Sequence, residues 1–178
     1  MEKIEINEII NAYMIRRTEP HRDARGFFSE VYRACDIEGK FVQRNVSASK
    51  KNVLRGMHSL WSKPQGKLIT CLYGKIWDVI YDARPRSPTF GRGYALELSH
   101  DKMNSLFAPP GCLHGFLVLS DLAIVEYDCT SYFEPRYDGG VKWSDPQIKK
   151  FFPQGISPVL SSKDEKLGSL SEFIRLKS

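Results

Sequence analysis

Arg55, His58 and Lys67 crowd into one short stretch, LRGMHSLWSKPQGK (54–67). Arg offers a planar fork that bonds two phosphate oxygens at once, and Lys offers a compact point charge. An imidazole titrates near neutral pH and can take or give a proton. Together they suit an anionic small molecule undergoing proton transfer. Arg55 and His58 would point to opposite faces of a regularly pleated strand, so a bulge or turn at Gly56 is needed to bring them together. The bland alternative is two solvated cations and a satisfied strand histidine. The other histidines are His21, His100 and His114, and no His-x-His pair occurs. A metal-binding barrel would show two close histidines with a carboxylate and a third histidine, so the expectation is no metal. Cys35, Cys71, Cys112 and Cys129 form no Cys-x-x-Cys pair, which argues against a zinc ribbon or redox motif. Cys71 and Cys129 lie in strand-like runs and read as small buried thiols.

The elements that must position these side chains read mainly as strands. Residues 68–73 and 76–82 are rich in Ile, Val, Trp and Tyr, and Gly74-Lys75 between them has the spacing of a two-residue hairpin. Further strand-like runs are 27–33, 41–48, 93–98, 105–108, 114–119 and 123–129, separated by turn clusters such as RPRSP, PPG and LSD. Many short strands at this spacing predict an antiparallel sandwich or barrel. Helix signals are confined to the ends. Residues 7–12 suit one helical turn, and KDEKLGSLSEFIRL sets Leu167, Leu170, Phe173 and Ile174 on one helical face, with Gly168 weakening its start. The stretch from Pro135 to Pro158 reads as an ordered connection. Trp77, Phe90 and Trp143 read as core, with Trp143 or Phe27 the candidates for stacking on a nucleobase.

The 178 residues fit one domain spanning 1–178. With 42% hydrophobic and 26% charged residues, the chain has the balance of a folded protein rather than a disordered one. No apolar run is long enough to span a bilayer, and the N-terminus lacks a basic segment followed by an apolar one. The expectations are no membrane partner and a cytoplasmic location. The net charge is +5 but dispersed, which argues against nucleic acid and suits an anionic small molecule.

Eight collinear stretches carry a resemblance: RDARGFFSEVY (22–32), QRNVSASKKNVLRGMH (43–58), QGKL (65–68), GKIWDVIYDARPRSPTFG (74–91), APPGCLHGFLVLSD (108–121), VEYDCTSYFEP (125–135), VKWSDP (141–146) and LSSKD (160–164). In order and spacing the chain resembles the dTDP-4-dehydrorhamnose 3,5-epimerase family over nearly the whole domain. The resemblance implies an all-β, cupin-type double-stranded β-helix (jelly roll) with short terminal helices. It also implies a homodimer whose N-terminal region crosses to the partner, and an active site without cofactor. The implied substrate is a nucleotide-linked 4-keto-6-deoxy sugar, by default dTDP-linked, inverted at C3 and C5. The hydrogens on those carbons flank the C4 ketone, so their loss gives an enolate, and inversion needs a base on one ring face and an acid on the other.

On the same resemblance, His58 matches the general base, Asp164 the carboxylate that orients it, and Tyr127 the acid for the opposite face. Lys67 matches the cation beside the C4 oxygen, where charge develops. Arg55 and Arg25 match sugar and diphosphate ligands. Gln43 and Asn45 match pocket-lining groups, Phe28 and Glu30 substrate contacts near Arg25, and His114 a histidine beside the sugar. Two departures stand out: Phe133 replaces a tyrosine usual near the sugar, and Ser59, Leu60 and Trp61 replace the usual residues after the base. They leave open a C3-only or C5-only epimerase and a GDP- or CDP-linked substrate. Rival readings are a 3,4-ketoisomerase on the same scaffold and a sugar-nucleotide-binding cupin without turnover. The family's usual setting is biosynthesis of cell-surface polysaccharide.

Overall fold

The computed structural model describes residues 1–17, 20–37 and 39–176. The chain begins with β1 (Glu2–Glu5) and β2 (Tyr13–Arg16), followed by a small hairpin of β3 (His21–Asp23) and β4 (Gly26–Phe28). The main body comprises β5 (Gln43–Lys50), β6 (Leu54–Leu60), β7 (Lys67–Tyr73), β8 (Lys75–Tyr81), β9 (Gly93–Ser99), β10 (Asn104–Ala108), β11 (Leu113–Val118) and β12 (Leu122–Cys129). The C-terminal part adds β13 (Asp138–Gly140) and the short helices α1 (Pro146–Lys149), α2 (Ser162–Glu165) and α3 (Leu170–Arg175).

Among the described residues two open antiparallel sheets hold all of these strands except the β3–β4 hairpin, one in the order β1-β2-β10-β7-β12-β5 and the other β13-β6-β11-β8-β9. From β5 to β8 and again from β9 to β12 the chain changes sheet at every step. Their facing sides bury Ile69, Cys71, Leu106 and Val125 from the first sheet against Ile76, Ile80, Leu98 and Phe116 from the second. The outer face of the second sheet is covered as well, since Val79, Tyr81, Leu113 and Leu117 pack on Ile148, Phe152, Leu170 and Phe173 of the C-terminal segment. A strand buried on both faces loses its polar alternation, which is why β11 reads as the near-continuous apolar run LHGFLV.

Several elements differ from the sequence expectation. Gly74-Lys75 is no hairpin: β7 pairs with β10 and β12, whereas β8 pairs with β9 and β11. Gly74 (φ 76) is instead a corner between sheets, and a Cβ there would lie 2.1 Å from Leu122 O. Residues 7–12 form tight turns rather than a helix, because Ile6 N–H donates to Ala12 O and folds Ile9 into the core. Within 27–33 only the hairpin strand ending at Phe28 is extended and paired. The C-terminal helical pattern breaks in two at Gly168, and Ser169 and Glu172 then form a capping box that starts α3 afresh. Phe90 is 42% exposed rather than core, while Trp77 donates its indole N–H to Phe151 O. Residues 135–158 do form an ordered connection, pinned by buried Val141, Ile148 and Phe152.

Candidate active site

The site begins with a flaw in the pairing of β6 with β11. His58 lies opposite His114 and Arg55 opposite Phe116, so three steps along β6 match two along β11. That is a bulge, and it turns two residues of odd spacing onto one face. Gly56 permits it with φ 111, and a Cβ there would meet His114 O at 2.6 Å. Gly115 permits the same close approach from the other strand, where an added Cβ would lie 2.7 Å from Arg55 O and Met57 Sδ.

Arg55, His58 and His114 therefore line one wall of a cleft of about 270 Å3 between the sheets. The opposite wall comes from the other sheet and carries Lys67, Tyr127 and Asn45, with Phe133 beside them. His58 Nε2 is 2.5 Å from Asp164 Oδ1, and the carboxylate is buried. With Nε2–H donated to Asp164, the neutral ring keeps Nδ1 as its basic nitrogen. Ser161 caps α2 by accepting from Asp164 N–H at 3.1 Å, which fixes the carboxylate's helix beneath the imidazole. Burial pushes the Asp164 carboxyl up, but hydrogen bonds and charge from His58, with Gly56 N–H and Ser161, hold it below the usual carboxylate value.

Burial raises the Tyr127 phenol well above its ordinary value, and it is hydrogen-bonded to Ser47 at 2.9 Å. The Lys67 ammonium is lowered by burial, opposed by charge from Cys129, Asp138 and Asp78, with Lys163 adding to the lowering. Lys67 makes no ion pair among the described residues. His114 donates Nε2–H to the fully buried Asp78 at 2.7 Å, and Arg55 donates its Nε–H to Ser49 Oγ at 2.9 Å. The arrangement can abstract a proton from one side of a bound ring, deliver one from the other, and stabilise an oxyanion between them.

Gln43 stands at the rim, where its Oε1 accepts from Phe133 N–H at 2.7 Å and its amide donates to Asn45 at 3.0 Å. Arg25, Phe28 and Glu30 do not line the cleft of this chain. Arg25 pairs with Asp23 in an exposed hairpin, Phe28 is 71% exposed, and Glu30 pairs with Arg33. Ser59 and Leu60 are buried, and Trp61 packs edge-on against Tyr137 at 4.9 Å, so this segment serves the core behind His58 rather than the cleft. The sequence reading missed Ser47, Gln65, Phe116 and Cys129, all of which line the cleft. Ser47 was within reach, because it follows Gln43 and Asn45 at the period-two spacing of one strand face. Among the described residues no three His, Cys, Asp or Glu side chains gather to hold a metal ion, and no helix is long and apolar enough to cross a membrane.

A family profile described as dTDP-4-dehydrorhamnose 3,5-epimerase matches residues 7–172. The chain belongs to the dTDP-4-dehydrorhamnose 3,5-epimerase family. The dTDP-4-dehydrorhamnose 3,5-epimerase of Escherichia coli K12 is 44% identical over 162 residues, covering 87% of this chain and 88% of that one. The crystal structure of dTDP-6-deoxy-D-glucose-3,5-epimerase from Legionella pneumophila, in complex with dTDP-4-keto-L-rhamnose, superposes with TM-score 0.88 at 36% identity. That match covers 96% of this chain and 93% of the other. A 3'-monoepimerase from Streptomyces bikiniensis, in complex with dTDP-quinovose, has TM-score 0.87 at 29% identity, covering 97% and 90%. As a member of this epimerase family the chain is an enzyme, a nucleotide-sugar 3,5-epimerase acting on a 4-keto-6-deoxy sugar.

Proposed function

We propose that the chain converts dTDP-4-dehydro-6-deoxyglucose to dTDP-4-dehydrorhamnose, with His58 as base and Tyr127 as acid. The observation that carries this reading is that His58 and Tyr127 reach one cleft from different sheets. A sugar ring held between them meets a base on one face and an acid on the other, which is what inversion of a carbon next to a ketone requires. His58 takes the proton from C5 or C3 and is stabilised as imidazolium by Asp164. The charge that leaves the C–H bond collects on the C4 oxygen, where Lys67 opposes it. Tyr127 then gives its proton to the carbon from the other side. Arg55 and His114 hold the sugar and diphosphate, with Gln43, Asn45 and Phe133 at the rim. Because the ketone itself acidifies both carbons, a base, an acid and a cation supply the chemistry without a cofactor.

The alternation of β5 to β12 between the two sheets supports a double-stranded β-helix as the architecture. A homodimer gives Arg25, Phe28 and Glu30 a role. The β3–β4 hairpin carries an exposed Arg and an exposed Phe outside its own cleft, and reaching into the partner's cleft would set them on the diphosphate and base. The setting is cytoplasmic synthesis of a sugar for surface polysaccharide. Phe133 supports a second reading, inversion at a single carbon, since it keeps a ring at the rim without a hydroxyl.

Substituting His58→Asn tests the base. Solvent exchange at C3 and C5 is expected to disappear while affinity for dTDP stays near wild type, and exchange that persists would assign the base to another residue.

A further inference from the structure

Among the described residues the phenol of Tyr127 has one hydrogen-bonded neighbour in the cleft wall, the hydroxyl of Ser47, with Oγ 2.9 Å from the phenolic oxygen. Each of these hydroxyls has a single proton to give. If Tyr127 donates to Ser47, its proton is aimed away from any bound sugar. If Ser47 donates to Tyr127, the phenolic proton is left to point into the cleft. Only the second arrangement lets Tyr127 protonate carbon.

We propose that Ser47 is a positioning residue for Tyr127: its hydroxyl donates to the phenolic oxygen, turns the phenolic proton toward the sugar, and holds the tyrosinate formed when that proton leaves. The inference rests on the reading of Tyr127 as the acid. In the step concerned, the O–H bond of Tyr127 breaks and a C–H bond forms at C5 or C3. The electron pair of the enolate makes the new bond, the C4 ketone is restored, and the negative charge passes to the phenolate oxygen, which still accepts from Ser47 Oγ–H. No other reactant is needed.

The surroundings make that hydrogen bond consequential. Burial raises the Tyr127 phenol, Asp78 and Cys129 raise it further, and the hydrogen bond to Ser47 is the foremost influence in the opposite direction, ahead of the charge of Arg55. A tyrosinate without Ser47 would stand in a buried wall with that partner missing, and hydrogen bonds to ionised groups are about twice as strong as neutral ones. The strand explains the aim. In the β5–β12 pair Asn45 lies opposite Tyr127, so Ser47, two residues on, is its diagonal neighbour on the same face. Ser49, two further on, accepts from Arg55 Nε–H, so alternate side chains of one strand brace two groups of the cleft.

The test compares wild type with Ser47→Ala, Ser47→Thr, Tyr127→Phe and the double variant S47A/Y127F, using dTDP-4-keto-6-deoxyglucose in D2O. Both deuterium entry at C3 and C5 and formation of inverted product are followed by NMR. Ser47→Ala is expected to slow inversion about 10- to 100-fold while exchange, which needs His58 and Lys67 but not the acid, stays near wild type. Ser47→Thr, which restores a hydroxyl, is expected to recover inversion, and Ser47→Ala is expected to cost nothing further in the Tyr127→Phe background. Unchanged inversion in Ser47→Ala, equal losses of exchange and inversion, or the same penalty with and without the phenol would each overturn the proposal. Wild-type inversion by Tyr127→Phe would remove the acid itself, and the role of Ser47 with it.

Discussion

His58 Nε2 lies 2.5 Å from Oδ1 of Asp164, a carboxylate 106 residues further along the chain. The long separation means that helix α2 must be docked before the imidazole is held. The carboxylate keeps the proton on Nε2 and leaves Nδ1 basic. Asp164→Asn preserves the shape and removes the charge that would stabilise the imidazolium. The expected result is a fall in kcat of about 10²- to 10⁴-fold with little change in affinity for dTDP, measured by steady-state kinetics and calorimetry. A kcat within a few-fold of wild type would show that the pair is structural only.

Gly115 is where the second sheet is drawn tight behind His58. A Cβ at this position would lie 2.7 Å from Arg55 O and 2.7 Å from Met57 Sδ, so Gly115→Ala must push β11 and β6 apart. Overpacking of this kind costs about 1–3 kcal/mol, visible as a lower Tm. Because the same movement carries Arg55 and His58, kcat is expected to fall together with stability. Unchanged kcat in a destabilised Gly115→Ala protein would mean that the bulge does not set the position of the base.

Asp82 supplies a pH-dependent part of the stability away from the cleft. It is fully buried, and burial alone would push its carboxyl up. Hydrogen bonds from Arg84, Ser87 and Thr89 outweigh that and bring it from 3.8 down to about 2. A carboxyl depressed in the folded state stabilises fully above its unfolded value and loses that contribution as pH falls through the folded one. The amount is about 2 kcal/mol, present at pH 5 and fading from near pH 4 toward pH 2. In urea unfolding, wild type is expected to be more stable than Asp82→Asn at pH 5, with the gap narrowing by pH 3. A gap that does not change with pH would contradict this ionised network.

What could be read from sequence followed physical rules that act locally. Strands such as β8 and β12 announce themselves through β-branched and aromatic residues, and the bulge at Gly56 followed from the odd spacing of Arg55 and His58. β6 itself was weakly signalled, because LRGMHSL spends its positions on the site and on close approach rather than on strand propensity. The Gly74-Lys75 turn looked like a hairpin because two-residue spacing says nothing about which sheet the next strand joins. The period-two spacing from Gln43 and Asn45 puts Ser47 on their face of β5, but what its hydroxyl touches there shows only once Tyr127, its partner across the sheet, is known. Trp61 drew attention beside the base, yet its ring turns back onto Tyr137. Arg25, Phe28 and Glu30 matched the family motif, and a single chain leaves them outside its own cleft.

The central claim is that one cleft, with His58 and Tyr127 on opposite walls, inverts both carbons beside a ketone. NMR of the purified protein with dTDP-4-keto-6-deoxyglucose in D2O tests it most directly, following deuterium at C3 and C5 and the ring configuration at each. The account predicts deuterium at both positions with inversion at both. Deuterium and inversion at one carbon alone would contradict the double inversion and turn attention to Phe133, and no incorporation at either would contradict the assignment of dTDP-4-keto-6-deoxyglucose as the substrate.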